Sequence, residues 1–187
     1  LSSGQALDLV ERHAAELPAM QPVRRGAPEW ALSGAAGRPK RLISSFQLQP
    51  EALESANLRL QAKIAAVAAR EVRVHETMLD DADLVVVGFG SAGRIAQSAV
   101  RAARQQGIRA GLLRPLTLFP FPERRIAQLA EQARAWLVVE MNAGQMLDDV
   151  RLAVAGRAPV RFYGRMGGVV PLPDEILEAI VALDGEF

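Results

Sequence analysis

The sequence predicts an α/β fold, a three-layer α/β/α sandwich with a mostly parallel sheet, preceded by a loop and a long helical arm. Three observations predict it. From Leu84 onward, short β-rich runs alternate with amphipathic helical patterns; the joints between them are short and rich in glycine and proline; and half of the 187 residues are apolar, enough for one full core. A second complete domain would be a tight fit, because domains run to about 100–150 residues. Residues 81–187 are read as the α/β/α domain, and residues 1–80 as linker and arm, which include the possible tail of a preceding domain.

The elements follow in order. The first β run is Leu84–Val87, and the helix after it puts Ile95, Ala96, Ala99, Val100 and Ala103 on one face with Arg94, Gln97, Arg101 and Arg104 opposite. Gly107 ends that helix. A second strand spans Ile108–Leu113, and the proline-punctuated RPLTLFPFP leads to a helix opened by Pro122 and Glu123 that turns Ile126, Leu129, Ala130 and Ala133 inward. The third strand, Trp136–Glu140, passes through MNAG into a helix with Met146, Val150, Ala153 and Val154 inside, closing at Gly156. A fourth strand, Val160–Tyr163, runs through GRMGGVVPLP into a helix from Pro173 that places Ile176, Ile180 and Val181 inward. Strands separated by helices at this rhythm need right-handed crossovers and hence parallel pairing.

The front of the chain differs. PEWALSGAAGRPKR, from Pro28 to Arg41, is too rich in Gly, Ala and Pro for regular structure. Pro50 and Glu51 then open a helical stripe through Leu53, Leu60, Ile64, Val67, Val74 and Met78, interrupted by Asn57 and Glu71, which predicts an arm lying on the sheet domain or a neighbour rather than a coiled coil. Gln5–Leu17 has the pattern of a short helix.

Composition narrows the chemistry. Lysine and arginine number 22 against 21 acids, which gives no electrostatic case for nucleic acid. There are no cysteines, so this chain offers no thiolate for a metal, an iron–sulfur cluster or a disulfide; His13 and His75 are far apart. No apolar run approaches the ~20 residues that span a bilayer, and no leader pattern opens the chain, so a cytoplasmic protein away from membranes is expected. The start at Leu1 predicts a piece of something longer.

LVVVGFGSAGRIA carries Gly88, Gly90 and Gly93 in G-x-G-x-x-G spacing between a strand and a helix, the context of a dinucleotide loop. The acidic residue that would hold the ribose, about 20 residues on, is replaced by Arg114. An NADP-binding oxidoreductase domain using GFGSAG and Arg114 is therefore the alternative, and a strand-to-helix turn with Ser91 as N-cap is the leading reading. Ser91, Arg94, Arg114, Glu140, Asn142 and Gln145 fall at strand ends, where a crevice for a ligand, a small anion or a partner would form. The competing expectation is structural: Glu140 pairs with Arg114, and Asn142 serves the turn before Gly144. Phe121, between two prolines, is either an interface anchor or buried under its loop, and Arg38, Lys40 and Arg41 form a small basic cluster. No nucleophile–base set stands out, so no catalytic, cofactor-binding or metal residue is assigned.

Taken together, VVVGFGSAGRIAQSAV, GLLRPLTLFPFP, LVVEMNAGQMLDDVRLAV and FYGRMGGVVPLPDEI resemble the C-terminal domain of the α subunit of 2-oxoacid:ferredoxin oxidoreductases, closest to the branched-chain, 2-oxoisovalerate type. PEWALSGAAGR and NLRLQAKI resemble that subunit's linker and arm. The resemblance implies a transketolase C-terminal-like domain that scaffolds a thiamin-diphosphate enzyme converting a 2-oxoacid and coenzyme A to acyl-CoA and carbon dioxide, with electrons passing through iron–sulfur clusters to ferredoxin. It further implies that thiamin diphosphate, magnesium and the clusters are held by a preceding domain, a thiamin-diphosphate-binding β subunit and an iron–sulfur subunit or domain. The stretch before Pro28 is too short for the pyrimidine-binding domain, so this chain alone is expected to be inactive.

Overall fold

The computed structural model describes Gly26 and Pro28–Glu186; the expected helix at Gln5–Leu17 lies outside those residues. The chain divides after Leu53 into two units. In the first, Pro28–Arg41 is a series of turns without helix or strand, closed on itself by the Arg41 guanidinium, which donates to the Ala31 carbonyl at 2.7 Å. A helix, α1 (Pro50–Arg70), crosses the division, and none of its residues is buried.

The second unit is built on a five-stranded sheet. Its elements are β1 (Val74–Thr77), β2 (Leu84–Gly88), α2 (Gly90–Gln105), β3 (Ala110–Pro115), α3 (Glu123–Leu129), β4 (Ala135–Glu140), α4 (Gln145–Val154), β5 (Val160–Gly164) and α5 (Pro173–Asp184). The spatial order is β1-β3-β2-β4-β5, with β1 antiparallel to β3 and every other pair parallel. The expected stripe through Val74 and Met78 is therefore not one helix. The helix stops at Arg70, and Val74–Thr77 instead satisfies the free edge of β3 through a register from Val74 opposite Pro115 to Thr77 opposite Leu112.

Period-two alternation sorts the core into two layers. Leu84 and Val86 of β2, with Leu112, Leu137 and Val139, face α2 and α5; Val85 and Val87, with Leu113, Trp136 and Val138, face α3 and α4. The central strands β2 and β4 are buried along their whole length, as a sheet covered on both faces requires. One expected core residue fails: Val181 is exposed, and Leu183 closes the α5 face in its place. The stripe on α5 runs Ile176, Ile180, Leu183, a four-then-three step that carries Val181 round to solvent.

Candidate functional site at the carboxyl edge of the sheet

From β2 the chain crosses to β3 on one side, and from β3 it returns over β2 to β4 on the other. The connections after β2 and β4 thus lead away from each other, and the gap between them is the switch point where open α/β sheets place their crevices. A cleft of about 350 Å³ lies there, lined by Phe89–Ala92 after β2 and Val139–Asn142 after β4.

Its two walls are finished differently. On the β4 side, Glu140 is buried, and its carboxylate accepts from the N–H groups of Met146 and Leu147 and from the Asn142 amide, each at 2.9 Å. The Asn142 side-chain oxygen accepts from Gly144 N–H at 2.7 Å and Gln145 N–H at 3.1 Å. Between them these two side chains occupy the first-turn donors of α4, a charge-assisted cap at the positive end of a helix. The expected Glu140–Arg114 ion pair is absent among the described residues, because the carboxylate is taken up by α4. Asn142 does serve the turn.

On the β2 side, α2 begins at Gly90, two residues earlier than a Ser91 cap would place it, with Phe89 at the N-cap and no side-chain cap. Ser91 is therefore inside the first turn, exposed beside the cleft, and is not the cap. Gly90 takes φ +56°, a conformation L side chains rarely adopt. Gly88 and Gly93 touch: a Cβ on Gly93 would overlap the Gly88 carbonyl oxygen and lie 2.8 Å from its carbon. Two of the three glycines in the motif are thus required by close strand-to-helix packing.

Of the residues singled out in the sequence, Ser91, Glu140 and Asn142 meet at the cleft, while Arg94, Arg114, Phe121 and Gln145 are outside its lining. Arg94 is exposed and Gln145 sits on the first turn of α4. Arg114, half-buried near the end of β3, lies over α2, its Cγ 3.0 Å from where a Gly93 Cβ would be, and its buried Nε has no partner among the described residues. Phe121 is partly buried, packed against the α3/α4 core layer.

What the sequence reading missed is apolar. Phe89 and Met141 are exposed at the cleft, and along the same edge of the sheet the loops after β3 and β5 display Leu116, Leu118, Phe119, Val169, Val170 and Leu172. Phe119, 73% exposed, is the displayed ring of the FPFP loop. The signal was available: LTLF and GGVVPL are apolar runs inside loops, where turn chemistry alone would favour polar residues.

The β5–α5 loop is held at both ends by one carboxylate. Glu175 accepts from Leu172 N–H at 2.9 Å and from the Tyr163 hydroxyl at 2.8 Å, and pairs with Arg165 at 3.2 Å. The Leu172 N–H bond first, then the Tyr163 hydroxyl, hold the Glu175 carboxyl below its usual range. Burial, followed by the Glu175 hydrogen bond, pushes the Tyr163 phenol above its usual value.

The donor set does not fit a thiamin-diphosphate–magnesium site or an iron–sulfur cluster. There is no cysteine in the chain, no group of three or more His, Asp or Glu residues that could hold a metal exists among the described residues, and the carboxylate at the cleft is spent on α4.

A doubly wound sheet with a crevice at its carboxyl edge and exposed apolar side chains on the loops along that edge defines the class: an α/β domain with a strand-end cleft. The chain belongs to the family described as pyruvate:ferredoxin oxidoreductase core domain II, whose model matches residues 82–176. It is 45% identical over 84% of its length to ketoisovalerate oxidoreductase subunit VorB of Methanothermobacter marburgensis, and 40% identical over 72% to that organism's 2-oxoglutarate synthase subunit KorA. It spans 44% and 36% of those relatives. Among solved structures, it superposes on a 2-oxoglutarate:ferredoxin oxidoreductase from Magnetococcus marinus with a TM-score of 0.65 at 18% identity, covering 73% of this chain and 24% of that one. A split-gene transketolase gives a TM-score of 0.52 at 16% identity, covering 59% and 41%. The two structural likenesses establish the transketolase-like fold.

Proposed function

We propose that the chain is the C-terminal part of the α subunit of a cytoplasmic 2-oxoacid:ferredoxin oxidoreductase of the branched-chain type, and that it scaffolds the enzyme rather than carrying its chemistry. The observation that carries this is the family match combined with 45% identity to a ketoisovalerate oxidoreductase subunit. The apolar side chains exposed on the loops along the carboxyl edge support a packing role. In the complete enzyme, a 2-oxoacid and coenzyme A become acyl-CoA and carbon dioxide, and ferredoxin takes the electrons. Thiamin diphosphate, magnesium and the iron–sulfur clusters sit on a preceding domain and on partner subunits.

The test is reconstitution. The chain alone, given thiamin diphosphate, magnesium, coenzyme A, 2-oxoisovalerate and ferredoxin, releases no carbon dioxide; assembled with the pyrimidine-binding domain and partner subunits, it does so faster with 2-oxoisovalerate than with 2-oxoglutarate. Decarboxylation by the isolated chain would overturn the scaffold role, and a preference for 2-oxoglutarate the branched-chain assignment. Calorimetric titration with NADPH gives no saturable heat if the glycine motif is a packing turn.

A further inference from the structure

β5 ends the sheet without the usual protection of an edge strand. It pairs with β4 alone, in a parallel register from Val160 opposite Trp136 to Gly164 opposite Glu140. The bonds flanking it show which backbone groups face inward: Trp136 N–H donates to Pro159 O at 3.0 Å, and Arg165 N–H donates to Glu140 O at 3.2 Å. Along a strand such bonds fall on alternate residues. Pro159, Arg161, Tyr163 and Arg165 therefore face β4, and the N–H and C=O groups of Val160, Phe162 and Gly164 point away from the sheet. No hydrogen bond reaches those outward groups among the described residues. Edge strands are commonly blunted by lysine, proline or a bulge, and Val160–Gly164 has none of these. β1, at the other edge, is shorter, at four residues, and its two middle residues, His75 and Glu76, are exposed and polar.

The open edge is complementary to itself. Two β5 strands set antiparallel about a two-fold axis at Phe162 use every outward group, with Val160 opposite the second copy's Gly164 and Phe162 opposite its own counterpart as hydrogen-bonded pairs. The side chains suit the same register. On the α4 side of the sheet, the Phe162 ring lies where a Gly164 Cβ would be and reaches toward Gly144. Gly164 thus leaves the place beside that ring open for the second copy's Val160, an aromatic and β-branched pair. Phe162, 36% exposed, is covered by its counterpart. On the α5 side, Arg161 comes opposite the second copy's Tyr163, whose hydroxyl donates to Glu175 at 2.8 Å. Each cation then meets an aromatic ring and a carboxylate rather than another cation. Arg161 also brings its own counter-charge, Glu186, paired with it at 2.6 Å.

We infer that β5 is a self-association edge: a second copy of this chain adds its β5 antiparallel about Phe162, and the two sheets become continuous across a two-fold axis. Shape and charge select this occupant, because the strand that fits Gly164, Phe162 and Arg161 in one register is β5 itself. The inference stands apart from the enzyme-subunit reading, since it uses neither the cleft nor the loops along the carboxyl edge. The contact is one strand wide, so the pair forms and separates with concentration.

The experiment uses the full chain, followed by sedimentation velocity from micromolar to millimolar concentration, where a monomer–dimer equilibrium is expected. Phe162→Pro removes an outward N–H and leaves the bonds to β4, which fall on Arg161 and Tyr163. It is expected to weaken the dimer at least about tenfold, because the two-fold axis removes that bond twice. Arg161→Glu sets an acid against the second copy's Glu175 and is expected to weaken it as well. Register is read separately. The chain has no cysteine, so Phe162→Cys places one thiol from each copy at the axis, where Cα atoms stand about 5.5 Å apart, within disulfide reach. Diamide, which takes up the two thiol hydrogens, is expected to link Phe162→Cys chains in pairs. Val160→Cys thiols, about 13 Å apart along the strands, are expected to stay free. A chain that is monomeric at every concentration overturns the inference. So does a dimer that persists unweakened in Phe162→Pro or Arg161→Glu chains with wild-type melting, and so does Val160→Cys linking as fast as Phe162→Cys. Should Phe162→Pro fail to fold, Arg161→Glu and the two cysteine variants decide.

Discussion

Gly93 shows how a single atom decides between two explanations of the same motif. Its missing Cβ leaves room for the Gly88 carbonyl, so Gly93→Ala sets a methyl into backbone that cannot step aside. Alanine in a helix gains about 1 kcal/mol over glycine, but overpacking costs about 1–3 kcal/mol. Net destabilisation is expected in urea unfolding, and a neutral or stabilised variant would refute the packing account. Glu140 is the second decisive residue. Glu140→Gln keeps one acceptor and substitutes an amide NH₂ for the other, so a buried donor among Met146 N–H, Leu147 N–H and the Asn142 amide faces another donor. A loss of about 1–3 kcal/mol follows from leaving such a group unpaired, read as a lower unfolding midpoint at neutral pH. The spacing E-x-N-x-x-Q was visible in the sequence, but its use was not. Strand-end carboxylates look alike whether they await a ligand or cap the next helix, and only the position of the α4 N–H groups separates the two.

Elements with their own periodicity were legible, and elements defined by a neighbour were not. The βα repeats fell within about two residues of their observed bounds, except that α3 ends at Leu129 where its expected stripe ran on to Ala133, because the central strands are apolar on both faces and each helix has a stripe facing them. β1 was hidden because Val74 continues the seven-residue spacing of α1, and its strand conformation comes from the edge of β3, about 40 residues away. The bidentate Arg125–Glu76 pair, at 2.6 and 2.7 Å, then ties β1 to α3 and holds the Glu76 carboxyl below its usual range. The β5–α5 loop makes a prediction of its own. Tyr163 is the protein's only tyrosine, so the ultraviolet phenolate titration reads this loop directly. A phenol whose folded-state value is raised lends stability that is present below its unfolded value and lost as pH rises through the folded one. Midpoint titration above the ordinary value of about 10 is expected, and Glu175→Gln should move it partway back, because burial, the larger cause, remains. An unchanged midpoint in the variant would mean that Glu175 does not hold the loop through this hydroxyl.

At the scale of the molecule, the folding unit is wider than the family match. Residues 82–176 omit β1 and most of α5, including Ile180 and Leu183, which are almost wholly buried against α2 and the sheet. Burying each such side chain is worth about 1.5–3 kcal/mol, a large share of the 5–15 kcal/mol by which domains are stable. Omitting β1 also bares the outer edge of β3, a row of unpaired N–H and C=O groups that invites association with a second chain. A chain of residues 71–187 is therefore expected to unfold in one cooperative transition and to associate no further than the β5 pair. A chain of residues 82–176 is expected to lack a cooperative transition and to self-associate beyond a pair as concentration rises. Restoring only residues 177–187 should recover cooperativity but not suppress association, because the α5 face and the β3 edge are separate defects on opposite sides of the problem: one is a missing core, the other an exposed edge. Equal behaviour of all three chains, by calorimetry and light scattering, would place the boundary of the folding unit at Ala82 and reduce β1 to an ornament of the sheet.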